Sequence, residues 1–263
     1  MPPSDFQTRV LRLIAANRSP QSHIAGGLAL NVDFSRLSGD IDIFHDVQAD
    51  LARTSVEDAT TLERAGLTVE WIRQFPSIHS ARVTGPDGST ELDWAVDSDF
   101  RFFPAEEDPL LGWRLHPFDL ATNKALAAAA RKEPRDAVDL VQIHESLFPL
   151  GAVVWAAVAK DPGYSPLSLL DMIGRFARYQ EADMARVIST PRWTAADLSR
   201  RLKAAIADAD AFIEAMPAEE AGRVYLKQGR VIQPDPKTCG LVDSRGATRG
   251  GVWPIATSLP PVD

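Results

Sequence analysis

Asp40 and Asp42 stand at i and i+2, a short distance after the diglycine Gly26-Gly27. In a β-strand alternate side chains share a face and each residue advances about 3.3 Å. Ile41 and Ile43 can therefore enter a core while both acids project together into a cleft. Oxygen donors at that spacing suit a hard divalent cation such as Mg²⁺; the plainer reading is a pair of solvated acids at a strand end. Missing Cβ atoms at Gly26 and Gly27 permit unusual backbone angles and close approach of a phosphate. Their plainer reading is a tight turn.

The rest of the chain sets bounds on what such a site could serve. At 263 residues with 45% hydrophobic content, it can bury a substantial core, and two domains are expected. The 28 basic and 36 acidic residues give a net charge of −8, which disfavours indiscriminate binding to nucleic acid or anionic membrane. Cys239 is the lone cysteine, so no intrachain disulfide forms. The N-terminus lacks a basic-then-apolar signal pattern, and no apolar run approaches the roughly 20 residues that span a bilayer. A cytoplasmic protein with no membrane partner is expected. The five histidines lack metal-ligand spacing such as His-x-x-x-His, which argues against zinc.

Periodicity supplies the elements around the acids. Residues 5–17 place Phe6, Val10, Leu13 and Ile14 at helical spacing. His23–Ala25 reads as a short strand entering the diglycine, with a helix beginning at Leu28. After the Asp40–Phe44 strand, Ala49–Ala65 reads as helix and Leu67–Gln74 as strand. Ile78–Thr84 and Thr90–Val96 alternate on either side of Pro86-Asp87-Gly88, which predicts a hairpin. Pro104–Pro117 reads as a linker. Helices are expected over 118–131, 134–147, 153–159, 166–179, 182–188 and 195–215, with starts at Ser165 or Tyr164 and at Thr194. Prolines and glycines crowd residues 226–263, predicting an irregular tail.

The order Gly26-Gly27, Ala29-Leu30, Arg36-Leu37-Ser38-Gly39-Asp40-Ile41-Asp42 resembles the AbiEii-like toxin branch of the DNA polymerase beta-type nucleotidyltransferase superfamily. A second segment, Lys124 followed by Arg135-Asp136-Ala137-Val138-Asp139-Leu140, looks like the branch's lysine helix and its Arg-Asp-x-x-Asp-Leu helix start. The resemblance implies an α+β fold: an N-terminal nucleotidyltransferase mixed β-sheet with flanking helices, then a C-terminal helical domain. The corresponding division is 1–115, a helical domain over 116–225 completing the site, and the tail 226–263.

It also implies roles for residues. Asp40 and Asp42 would bridge two Mg²⁺ ions, and the neighbouring strand that carries a third carboxylate in this superfamily makes Asp93 the candidate, with Asp97 and Asp99 as competitors. Gly26 and Gly27 would cradle the triphosphate of an NTP; a side-chain donor is missing where other members of the superfamily have serine. Arg36 is open to phosphate contact, to bracing Asp40 or to a loop salt bridge, and Ser38 to hydrogen bonding or a turn cap. Lys124 would neutralise the β- and γ-phosphates. Asp136 and Asp139 are open between supporting the site and acting as helix-start acids.

The function that follows from the resemblance is metal-dependent transfer of an NMP from an NTP to an acceptor hydroxyl. That acceptor is expected to be a tRNA 3′ end or another molecule, in a toxin–antitoxin or phage-defence setting with a cognate antitoxin. The competing reading is a non-enzymatic protein of the same fold that acts by binding a partner. Arg175, Arg178, Arg186, Arg192, Arg200, Arg201 and Lys203 make the helical half locally basic, either as solvated helix faces or as a stripe for an RNA backbone.

Overall fold

The computed structural model describes residues 3–249 except 33, 35, 98 and 99. The first helix, α1 (Asp5–Ile14), opens with a capping box between Ser4 and Gln7 and buries Phe6, Val10, Leu11 and Ile14. β1 (Ser22–Ala25) runs directly into α2 (Gly26–Asn31), so the diglycine forms the first turn of the helix. β2 (Asp40–His45) carries the Asp-x-Asp pair, and α3 (Gln48–Arg64) follows. β3 (Thr68–Phe75), β4 (Ile78–Gly85) and β5 (Gly88–Val96) then form a meander, its second turn at Pro86-Asp87. Short strands β6 (Phe100–Arg101), β7 (Glu106–Asp108) and β8 (Gly112–Arg114) complete this half.

Among the described residues, a seven-stranded mixed sheet has the order β3-β4-β5-β2-β1-β8-β7. β2 pairs parallel with β5 and antiparallel with β1. Alternation then decides the faces. Ile41, Ile43, Leu92, Trp94, Ala81 and Val83 are buried on the side packed by α1 and α3, where burial of aliphatic and aromatic area drives folding. That layer holds a polar pin: Asp58 accepts from Arg18 Nη2 at 2.6 Å and from Trp94 Nε1 at 2.8 Å. Asp40, Asp42 and Asp93, one residue out of phase, stand on the opposite face.

The helical half comprises α4 (Pro117–Ala130), α5 (Pro134–Ser146), α6 (Leu150–Ala157), α7 (Pro166–Arg175), the short α8 (Glu181–Met184) and α9 (Ala195–Ala215). Ser165 and Thr194 cap α7 and α9. Ala125, Ala128 and Ala129 are buried on α4, whose small side chains let α5, α6 and α7 pack against it.

The helix expected over 153–159 is α6, starting at Leu150, and the one expected over 166–179 ends at Arg175; other segments differ in kind. Pro104–Pro117, a linker by its prolines and glycine, holds β7 and β8, and β8 extends the main sheet through Ile24↔Arg114. Strands of three residues are too short to show alternation, and Glu106, Glu107 and Asp108 mask them as loop. Helix over 182–188 shrinks to α8. The expected irregular tail instead begins inside a three-stranded sheet of β9 (Arg223–Lys227), β10 (Arg230–Ile232) and β11 (Asp243–Gly246). Its hairpin turns at Gln228-Gly229, both with positive φ, as a two-residue turn of matching twist requires. β12 (Thr248–Arg249) pairs with β6, and residues 250–263 lie outside the described residues. No single described helix is long and apolar enough to cross a membrane.

Candidate active site

The parallel register of β2 and β5 sets Asp42 opposite Asp93 and Asp40 opposite Glu91. One carboxylate oxygen from each of Asp40, Asp42 and Asp93 lies within 4.8 Å of the others. These three line a cleft of about 340 Å³ together with Gly26, Gly27, Arg36, Ser38, Phe44, Lys124, Arg131 and Arg135. Asp97 is not among the cleft's lining residues, while Asp99 lies outside the described residues.

Each acid has a distinct support. Ser38 Oγ donates to Asp40 Oδ1 at 2.8 Å, and Arg135 Nη1 stands 3.6 Å from Asp40 Oδ2. The loop before Asp40 is held by Gln7 Nε2 donating to Ser38 O at 2.9 Å and Thr90 Oγ1 donating to Gly39 O at 3.2 Å. Asp93 accepts from Ser80 Oγ, which itself accepts from Arg73 Nε at 2.8 Å. Burial, then the Asp40 and Asp93 charges, push the Asp42 carboxyl from its usual 3.8 up to about 7. Three hard oxygen donors whose mutual repulsion raises the central acid form a site that a divalent cation fits.

A stability prediction follows from Asp42. Its folded-state value lies above the unfolded 3.8, so its contribution is fully present below about pH 4 and is lost as pH rises through about 7. The full displacement corresponds to about 4 kcal/mol at about 1.4 kcal/mol per pKa unit, less in proportion as water reaches this half-buried group. In chelator, the melting temperature is expected to fall between pH 5 and 8, with Mg²⁺ or Mn²⁺ restoring it at pH 8. A flat profile in chelator would count against the convergence of charge.

Gly26 has φ of 64°, and a methyl group there would overlap the Asp42 carboxylate. A Cβ on Gly27 would meet Arg36 Nη2 at 2.6 Å and Ser38 Oγ at 3.0 Å. The diglycine thus makes room for the site's own side chains, a cause that the sequence could not disclose. Gly26→Ala is expected to displace Asp42 and abolish divalent-ion binding by calorimetry while circular dichroism keeps its helical signal. Unchanged ion affinity would show that the close approach is not needed.

The second cluster joins the sheet to the helices. The Arg36 guanidinium forks onto Asp139, with Nε to Oδ1 at 2.7 Å and Nη2 to Oδ2 at 2.9 Å, and Asp40 adds to the negative charge that favours it. Asn31 Nδ2 also donates to Asp139 Oδ1 at 3.0 Å. Lys124 Nζ sits 2.8 Å from Asp136 Oδ1 and 3.0 Å from Asp139 Oδ2. Burial by itself would lower this ammonium, but Asp139 and Asp136 outweigh it and hold it above its usual value. Burial would likewise raise Asp139, and Lys124 and Arg36 instead hold it below the usual carboxylate range. Arg131 Nε adds a 2.8 Å bond to Asp136 Oδ2.

Sequence position therefore grouped these residues, while their partners came from the fold. Lys124, expected to face phosphate, lies at the cleft wall with its ammonium shared by two carboxylates; Asp136 is fully buried behind it. The more exposed cations on the cleft are Arg131 and Arg135, with side chains 50% and 40% accessible. Ser80, Arg73 and Asn31 are silent in the sequence, because a lone polar residue in a strand or short helix carries no signal until its neighbour is known. Of the basic helical residues, Arg175 pairs with Asp171, Arg200 with Asp197 and Arg201 with Glu145, which accounts for them as helix-surface pairs.

No protein-family model matches the chain, and no curated protein matches it. Among solved structures, the nucleotidyltransferase toxin MenT4 from Mycobacterium tuberculosis H37Rv superposes with a TM-score of 0.57 at 18% identity, over 82% of this chain and 84% of MenT4. The chain therefore has the fold of that protein. A structure of Cid1, described with RNA terminal uridylyl transferase activity, aligns over 56% of this chain and 42% of its own at 14% identity, with a TM-score of 0.29 that supports no argument.

Proposed function

We propose that this protein is a metal-dependent nucleotidyltransferase that moves a nucleoside monophosphate from an NTP to an acceptor hydroxyl. The observation that carries this reading is the meeting of Asp40, Asp42 and Asp93 from two parallel strands beside the diglycine. The acceptor hydroxyl attacks the α-phosphorus, the bond to the bridging oxygen breaks, and pyrophosphate departs. Asp40, Asp42 and Asp93 would hold two divalent ions, which would stabilise charge on the attacking and leaving oxygens. In this reading Asp93, on the cleft beside Asp42, receives the hydroxyl proton. Gly26 and Gly27 border the polyphosphate path, Arg131 and Arg135 reach its charge, and Lys124 adds positive potential at the wall. Arg36, Asp136 and Asp139 act through others by fixing Lys124 and the loop that precedes Asp40. In this reading the acceptor is a tRNA 3′ end and the setting a toxin–antitoxin pair, as the resemblance carried by Gly26-Gly27 and Arg36–Asp42 implies; MenT4, which shares the fold, is a nucleotidyltransferase toxin.

The test is to incubate the protein with each of the four α-labelled NTPs, Mg²⁺ and total RNA or protein extract. A labelled band of tRNA size, lost in EDTA and absent with γ-labelled NTP, is the expected result. Label arriving only from the γ-position would replace this reading with a kinase, and no Mg²⁺-dependent NTP binding would replace it with a non-enzymatic partner-binding protein.

A further inference from the structure

The sheet beyond Asp93 continues the active-site face for two more strands, and its side chains fall into rows. Register places Asp42, Asp93, Ser80 and Arg73 in one row across β2, β5, β4 and β3. Beside it lies an apolar row of Phe44, Ala95, Ile78 and Phe75. On the other side runs a charged row of Asp40, Glu91, Arg82 and Glu70. Arg73 and Phe75 reach this face because of an irregularity in β3: Trp71 pairs with Ala81, but Arg73, not Ile72, pairs with Ser80. A regular strand would have turned Ile72 and Gln74 toward the acids and sent Arg73 and Phe75 to the other side. Bulges beside active sites commonly re-aim side chains in this way.

In-line displacement puts the incoming hydroxyl and the departing pyrophosphate on opposite sides of the α-phosphorus. β1, which delivers the diglycine, borders β2 on one side, and β5, β4 and β3 follow on the other. With the polyphosphate toward the diglycine, the acceptor comes in over Asp93, across β4 and β3.

We propose that this β3–β4 wing is the acceptor subsite and that it holds the 3′ end of a single-stranded RNA, with a backbone phosphate on Arg73 and a base stacked on Phe75. The proposal rests on the nucleotidyltransferase reading and deepens it. Phe75 is 60% exposed on the edge strand, an unusual degree of exposure for a large ring. Arg73 is anchored by donating to Ser80, with Nη2 at 3.7 Å from Asp93 Oδ1, and a guanidinium has further N–H donors to offer. An aromatic platform beside a cation is how proteins take unpaired bases and their backbone. Glu70 and Glu91 repel phosphate from the far row, where Arg82 is already paired with Glu91 at 2.7 Å, so the backbone is confined to the row of Arg73.

The test uses the full chain and a short single-stranded RNA with a free 3′ hydroxyl, followed by fluorescence anisotropy. Phe75→Ala is expected to weaken RNA binding roughly 10-fold, in keeping with the loss of one stacked base. Phe75→Trp should retain binding and Phe75→Leu should not, which separates stacking from mere apolar contact. Arg73→Gln is expected to lower the salt dependence by about one charge. Mg²⁺–NTP binding by calorimetry should stay unchanged in Phe75→Ala, while its acceptor KM rises in transfer assays. Equal RNA affinity of wild type and Phe75→Ala, or a labelled product that is protein and not RNA, overturns the proposal. If no NMP transfer occurs, the catalytic reading falls separately, and the anisotropy arm still decides whether RNA occupies the wing.

Discussion

Asp42→Asn is expected to reduce NMP transfer on the order of 1000-fold. Asp42 is the central member of the three acids, and burial, then the charges of Asp40 and Asp93, push its carboxyl up to about 7. Asparagine keeps the shape and removes the charge that would hold divalent ions in the proposed mechanism. Metal stabilisation of an in-line displacement is worth several kcal/mol, and each 1.36 kcal/mol is about tenfold in rate. The same substitution should leave the protein at least as stable in chelator at pH 8, because it relieves repulsion among three carboxylates. It should also flatten the pH dependence of the melting temperature. Labelled-NTP incorporation and melting curves measure the two effects on one preparation. Transfer at the wild-type rate would remove Asp42 from the mechanism, and an unfolded variant would show that its role is structural.

The largest stability loss is expected from Asp139→Ala. Asp139 lies fully buried on α5 and accepts from Arg36, Asn31 and Lys124, so it binds the loop before Asp40, the end of α2 and the middle of α4. Its removal leaves a buried guanidinium without its fork and a buried ammonium with one carboxylate in place of two. Breaking a buried pair by deleting one partner costs about 3–5 kcal/mol, since the surviving charge stays desolvated. Urea unfolding should register that loss. The companion Arg36→Met, Asp139→Leu should recover part of it, because removing both charges avoids the orphaned one. A loss below about 1 kcal/mol for Asp139→Ala would show that water reaches Arg36 and Lys124 and replaces the carboxylate.

The difference between these two acids marks how far a linear reading goes. Asp40 and Asp42 disclose their shared face because the two-residue repeat of a strand is local, and Ile41 and Ile43 confirm the phase. Asp136 discloses its place in a helix's first turn for the same local reason, since Pro134 starts the helix. The hairpin of β4 and β5 was legible from Pro86-Asp87-Gly88 and alternation. By contrast, β7 and β8 gain their strand character only from pairing with each other and with β1, which lies some ninety positions earlier.

The shared face of Asp40 and Asp42 and the amphipathic helices were legible along the chain, because they follow from side-chain periodicity and chain stiffness over a few residues. Tertiary structure alone decided who meets whom. The fork of Arg36 onto Asp139 spans 103 positions, the clearance that Asp42 imposes at Gly26 depends on the β1–β2 register, and the β3 irregularity chooses which face Arg73 and Phe75 occupy. The physical reason is that electrostatic and steric partners act over a few ångströms in space with no regard to distance along the chain. Only the packed fold fixes that proximity.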